Sequence, residues 1–319
     1  MTAPRTVTVT AGSRLHFGLF AFDAADGPSY GGVGAMIAEP KLQVRAEHAA
    51  SFSARGPLAE RAAAVTRLVE SGLVAEMPRR RVEVLAAPVP HSGLGSGTQL
   101  SLAAATAVVT LAGGALPNVA ELAQRLGRGR RSAIGTYGFA QGGLLVDSGR
   151  LSVDAVAPLA TRVALPDAWR VLLLLPSREQ GLAGDAEERA FARLAAVAAA
   201  TTAKLRQLAL EEIVPAASAA DLNRFAAAVS RFNRLSGECF AAVQGGPYSS
   251  PLAARWVERL GALGAPAGQS SWGPTLFAFA ADELQAVRVA DAIRDDARAD
   301  GWAVRVVRPL NAGASIDVG

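Results

Sequence analysis

The twelve residues PHSGLGSGTQLS, 90 to 101, limit what this chain can fold into more than any other stretch. They follow RRRVEVLAAPV (79–89), an alternating run that reads as a strand. They open an apolar helical run over 97–112, which Gly113 and Gly114 stop. Strand, glycine loop and helix in that order form an anion site. Glycines let backbone N–H groups approach oxygens, and the helix N-terminus adds its dipole. The residues expected to contact phosphate are Ser92, Gly93, Gly95, Ser96, Gly97 and Thr98. An ordinary glycine turn with Ser or Thr caps is the plainer reading. The loop is not a Walker loop, because no G-K-[ST] follows, nor a dinucleotide fingerprint, which needs G-x-G-x-x-G and a later acidic residue.

Composition narrows the ligand. Of 32 basic residues only Lys41 and Lys204 are lysines. Arginine makes forked contacts to phosphate and carboxylate, so a small anionic ligand is expected. The arginines are scattered, with no basic stripe interleaved with aromatics, so no nucleic-acid partner is expected. The chain has 319 residues, half of them hydrophobic, enough for two domains. The single cysteine, Cys239, excludes intramolecular disulfides and fits a reducing compartment. No h-region of signal-peptide length and no run of membrane-spanning length is seen. A cytoplasmic protein with no membrane partner is therefore expected.

Residues 5–20 read as a strand, a glycine turn and a second strand, and 31–48 as another strand pair. Helices are expected at 57–72, 118–127, 185–210, 218–235, 250–263 and 282–299. GGLLVDSGRLSVDAV (142–156) reads as a hairpin turned at Ser148-Gly149. Residues 158–168 look like a domain connection. WRVLLLLP is a buried strand, TLFAFA another, and WAVRVVRPL a closing one. The mixture is α+β in two domains, 1–162 and 163–319.

Beyond its physical reading, PHSGLGSGTQLS resembles the second motif of the GHMP kinase superfamily, P-x-x-x-G-L-G-S-[SG]. SRLHFGLF…YGGVGAMI (13–37) and GQSSWGPTLFAF (268–279) are similar to other motifs of that superfamily. The resemblance implies a ribosomal-S5-like N-terminal domain and a ferredoxin-like C-terminal domain. Many GHMP kinases carry an aspartate where Ile134, Gly135 and Thr136 stand here, and no carboxylate occurs between Glu121 and Asp147. GRGRRSAIGTYGFAQGGLLVDSG (127–149) resembles the β-ribofuranosylaminobenzene 5′-phosphate synthase branch. That branch implies decarboxylating transfer from phosphoribosyl pyrophosphate to 4-aminobenzoate or 4-hydroxybenzoate, in methanopterin-type cofactor biosynthesis, by a homodimer. A GHMP-type ATP-dependent small-molecule kinase is the alternative.

The residues suit the chemistry that the resemblance implies. The leaving pyrophosphate needs cations, and Arg128, Arg130 and Arg131 cluster near glycines. Arg14 and His16 alternate onto one face, with His16 as a donor to the carboxylate or ring substituent of the acceptor. Arg14, His16 and Arg131 are the catalytic candidates. Trp272 and Ser271, in a polar glycine-flanked loop, and Tyr137 are candidates to line the aromatic-substrate pocket. Mg²⁺ is the expected cofactor, with Ser96 and Glu187 as candidate oxygen ligands; Asp147 ends a strand and reads as a turn residue.

Overall fold

The computed structural model describes residues 5–22, 27–74, 79–176 and 189–319. The first half supplies six strands of a seven-stranded sheet built on two long ones, β1 (Thr6–Leu19) and β2 (Gly32–His48). β3 is Ser53–Arg55, α1 is Ala59–Gly72 and β4 is Arg80–Ala86. After the glycine loop come α2 (Ser96–Leu111), α3 (Val119–Arg125) and α4 (Ile134–Gln141). β5 (Leu144–Asp147) pairs with the start of β2, and β6 (Leu159–Val163) with β5.

Several expectations from the sequence need correction. Gly12 makes no turn: β1 runs through it with a register shift between Ala11 and Ser13. A Cβ on Gly12 would sit 2.3 Å from the Ile37 carbonyl oxygen, so glycine is there for close strand approach. Residues 31–48 form one strand rather than two, because β2 pairs with β5 at its start and β4 at its end. The expected hairpin at Ser148-Gly149 closes only at β6, and the residues taken as a domain connection contain that strand.

β7 (Arg170–Pro176) begins a second, four-stranded antiparallel sheet in the order β10-β7-β9-β8. α5 (Ala199–Gln207) runs through a π-helical turn, Leu208–Ile213, into α6 (Val214–Ser218). α7 (Leu222–Glu238), α8 (Ala241–Gln244) and α9 (Pro251–Ala262) follow. Then come β8 (Ala267–Gln269), β9 (Leu276–Ala280), α10 (Glu283–Ala299) and β10 (Trp302–Val307). The short strands β3 and β8 escaped the sequence reading, and so did β11 (Ser315–Val318), which returns to pair with β1.

The unbroken apolar run of β7 has a physical reason. Val171 and Leu173 face one core with Phe225 and Phe232 of α7, while Leu172 and Leu174 face another with Trp256 of α9 and Ile293 of α10. The first of these cores also takes Leu15 and Phe17 of β1 and Val33 of β2. Both sheets thus share one apolar layer, and β1 carries its polar residues to the seam between them.

Candidate active site

The glycine loop divides into two halves with different work. Gly95 is the N-cap of α2, in the left-handed region at φ 72°, with no side chain capping it. Thr98 and Gln99 donate their N–H groups to the Gly95 carbonyl at 3.1 and 3.2 Å. The N–H groups of Ser96 and Gly97 belong to the first helical turn, which offers them no intrahelical acceptor. A Cβ on Gly95 would lie 3.2 Å from Arg14 Nε, and one on Gly97 would lie 2.5 Å from Arg128 Nη2. These two glycines leave room for two guanidinium groups over a helix N-terminus.

Gly93 faces the chain instead. Its Cβ would meet the Ser270 carbonyl oxygen at 2.2 Å, and a Cβ on Gly273 would meet Gly93 N at 2.1 Å. The two glycine loops touch backbone to backbone. Ser270 Oγ donates to the Gly93 carbonyl at 2.7 Å and accepts from His16 N–H at 3.1 Å. Ser271 N–H donates to the His16 carbonyl at 3.0 Å. Ser92 is buried and spends its hydroxyl on the Val89 carbonyl, 2.7 Å away. It lines neither of the two lobes that open beside this loop, so its placement as a phosphate contact is corrected: it closes the turn before the loop.

Two adjoining lobes of about 400 and 490 Å³ open beside this loop and share Arg14, Thr98, Arg128, Ser271 and Trp272 as their common wall. The first adds His16, Arg130, Arg131, Phe191 and Asn233. The second adds Gly93, Gly95, Ser96 and Gly97, with Arg61 and His91. No Asp or Glu lines either lobe among the described residues. Arginines thus face both lobes with no carboxylate to oppose them, an electrostatic setting that favours anions.

His16 is buried beside Arg14. Burial first, and then the Arg14 charge, hold its pKa well below the usual histidine value, so the ring is neutral at pH 7. Its Nε2 and the Trp272 Nε1 have no hydrogen-bond partner among the described residues. The Trp272 ring is stacked on Phe191 at 4.9 Å and 8°, and Arg131 Cζ lies 4.1 Å over the Phe191 ring. Phe240 meets Trp272 edge-on at 4.9 Å. An arginine and three rings thus wall the first lobe.

Tyr137 is not among these residues. It lies on α4, packed with Met36, Leu159 and Leu310, and lines neither lobe, so its sequence-based placement in the substrate pocket is corrected. The segment is helical, and Gly138 is there because a Cβ would press within 2.4 Å of Met36 Sδ. Ser96 is in place in the second lobe, while Glu187 lies outside the described residues. No cluster of three His, Cys, Asp or Glu suited to a metal occurs among the described residues.

Sequence reasoning missed several lining residues, Arg61, His91, Phe191 and Asn233 among them. Arg61 sits on the polar face of α1 and reads there as a solvated charge, yet its Nη2 lies 3.1 Å from His91 Nε2. His91 holds a left-handed φ of 60° at the loop entrance. Phe191 carries no motif. Asn233 looks like any polar helix residue, but it donates to Phe17 and Gln269 carbonyls at 2.6 and 2.8 Å and accepts from Gln269 N–H. It ties β1, α7 and β8 together beneath the lobe.

Two sheets, a glycine loop heading a buried helix and a second glycine loop packed on it define the GHMP class of protein. The family model "GHMP kinases N terminal domain" matches residues 59–143, and "GHMP kinases C terminal" matches 213–299. Among solved structures, homoserine kinase from Cytophaga hutchinsonii shares the fold at TM-score 0.66 and 16% identity, covering 99% of both chains. Mevalonate diphosphate decarboxylase from Staphylococcus aureus does so at 0.66 and 11%, covering 98% of both. The chain is 30% identical to the β-ribofuranosylphenol 5′-phosphate synthase of Archaeoglobus fulgidus, covering 96% of this chain and 98% of the relative. It is 29% identical to that of Methanothermobacter thermautotrophicus, covering 83% and 86%. The chain belongs to the β-ribofuranosylphenol 5′-phosphate synthase family of enzymes. No helix among the described residues is long and apolar enough to cross a membrane.

Proposed function

We propose that the enzyme transfers the ribosyl 5-phosphate unit of phosphoribosyl pyrophosphate to 4-hydroxybenzoate, with loss of CO₂ and pyrophosphate, within a methanopterin-type cofactor pathway. The observation that carries this reading is the two-lobed cavity whose described lining holds five arginines and no carboxylate. The donor's pyrophosphate fits the lobe of Gly95, Ser96, Gly97 and Thr98, with Arg14 and Arg128 over it. The flat acceptor fits the lobe of Trp272, Phe191 and Arg131. The names of the relatives carry a phenol, which favours the hydroxy acid over 4-aminobenzoate.

In the reaction the ring carbon bearing the carboxylate attacks ribose C1 as the C1–O bond to pyrophosphate breaks. The bond to the carboxylate then breaks, CO₂ leaves, and its electron pair restores the aromatic ring. No strong base is required for carbon–carbon bond formation, only orientation and charge compensation. Arg14 and Arg128 stabilise the pyrophosphate as it departs. Arg131 orients the carboxylate, and neutral His16 offers Nε2 to the phenolic hydroxyl. Arg130 adds charge for the sugar phosphate, and Ser271 fixes the shared wall.

Mg²⁺ fits this site as an ion carried by substrate phosphate oxygens, with the Ser96 hydroxyl as the hard oxygen at hand. It would supply further charge compensation to the leaving pyrophosphate. A homodimer in the cytoplasm is the assembly and location that go with this reading. The test is pyrophosphate release from phosphoribosyl pyrophosphate and Mg²⁺, with and without 4-hydroxybenzoate. Release that depends on the benzoate is expected. Benzoate-independent release or none at all would reject the reading, and ADP formation from ATP with a small alcohol would favour a kinase.

A further inference from the structure

Asp147 ends β5, between β2 and β6, and its side chain is fully buried. It lines neither lobe. Its Oδ2 accepts from Ser132 Oγ and from Ala133 N–H, both at 2.9 Å. Its Oδ1 accepts from Gly149 N–H at 3.2 Å. Ser132 Oγ accepts in turn from Ile134 N–H at 3.2 Å, at the start of α4. Ser132 follows Arg131 directly and itself lines the first lobe. The carboxylate therefore sits at the joint between the arginine loop and α4. The far end of that loop is held by Arg128 N–H donating to the Ala123 carbonyl at 2.7 Å and Gly127 N–H to that of Gln124 at 2.9 Å.

We propose that Asp147 is a positioning residue, whose ionised carboxylate fixes Ser132 and the head of α4 and so holds Arg130 and Arg131 at the wall of the first lobe. This rests on reading the cavity as an anion site. The titratable and charged groups that bear on Asp147 among the described residues are Arg206 of α5, which favours its ionised form, and Tyr137 of α4. Arg206 Nη2 also donates to the Ser148 carbonyl at 3.2 Å. Burial outweighs the hydrogen bonds and Arg206 and pushes the Asp147 pKa up to about 6.

The sign of the linkage separates fold from function. A carboxyl whose folded pKa lies above its unfolded value of 3.8 costs stability at neutral pH, and that cost fades as pH falls through about 6. Neutralising Asp147 thus relieves the fold while it loosens the loop.

The test is Asp147→Asn, which keeps the shape, removes the charge and turns one acceptor end into a donor. The expected result is a Tm at pH 7.5 equal to or above that of the unsubstituted enzyme, with affinity for ribose 5-phosphate, whose phosphate is assigned to Arg130, measured by calorimetry, at least tenfold weaker. The loss of affinity between pH 7 and 5 should also be shallower in the variant. Unchanged affinity overturns the proposal, and so does a joint loss of Tm and affinity, which would make Asp147 a fold residue. Ser132→Ala gives a second reading: it keeps the carboxylate and removes the bridging hydroxyl. It should weaken ribose 5-phosphate binding at unchanged Tm, and unchanged affinity again overturns the proposal. Because the probe is ribose 5-phosphate alone, failure of the enzyme to release CO₂ would strike the proposed reaction without deciding this point.

Discussion

Gly93 and Gly97 stand four residues apart in one loop, and they are glycines for opposite reasons. Gly93 is glycine because the backbone at Ser270 and Gly273 presses against it; Gly97 is glycine because the far end of the Arg128 side chain lies over it. The first half of the loop is a joint between the two halves of the fold. The second half is the floor of a cavity. A glycine-rich string therefore does not mark phosphate contact along its whole length: the atoms nearest each missing Cβ decide which positions are joint and which are floor.

Substitutions can break this contrast. Gly93→Ala should have the largest effect, because the methyl group would collide with backbone that cannot yield, at a φ of 85°. A loss of about 3–5 kcal/mol is expected, seen as a collapse of Tm or of folded yield. Arg128→Ala should leave the fold intact and lower kcat/KM for the sugar donor on the order of 10²–10³-fold, the scale of losing one preorganised charge-stabilising donor. Gly97→Ala sharpens the comparison. It should leave Tm unchanged, push Arg128 aside and lower kcat/KM about tenfold, an effect of ~1.4 kcal/mol. Ser92→Ala should cost about 1 kcal/mol of stability, the worth of one hydrogen bond, and leave steady-state kinetics alone. A kinetic defect in folded Gly93→Ala, or a Tm defect in Gly97→Ala, would erase the division of the loop.

The buried histidine adds a pH test of opposite sign to Asp147. His16 titrates in the unfolded chain near its usual 6.5 but well below it when folded. Its contribution to stability is therefore present at neutral pH and lost as pH falls. His16→Gln should show a smaller drop in Tm between pH 7 and 5 than the unsubstituted enzyme. An identical drop would mean that the ring is accessible and charges freely.

Much of this was legible in the sequence where one local pattern decides the outcome. The strand–loop–helix order at 80–111, the long apolar α2 and the arginine loop all follow from spacing and glycine placement. The misses share a cause: tertiary contact overrode local signal. Gly12 looked like a turn but is a site of strand crowding. Gly138 of α4 is glycine because the helix packs tightly on Met36 of β2. Ser92 looked like a phosphate ligand until its hydroxyl was found bonded to its own turn. Phe191 and Arg61 reach the cavity from elements whose sequences carry no motif, so only the fold could bring them there. Asp147 read as a turn residue, and it does accept from Gly149 N–H; its hold on the arginine loop fifteen residues earlier lies beyond any local pattern.

The most direct test of the central claim, that this cavity grips a sugar-borne pyrophosphate as a leaving group, is a paired assay on one preparation. The enzyme is given phosphoribosyl pyrophosphate, Mg²⁺ and carboxyl-labelled 4-hydroxybenzoate, and separately ATP, Mg²⁺ and candidate alcohols. The account predicts labelled CO₂ and pyrophosphate in equal amounts in the first arm and no alcohol-dependent ADP in the second. ADP that tracks an alcohol, with no CO₂ from the benzoate, would contradict it.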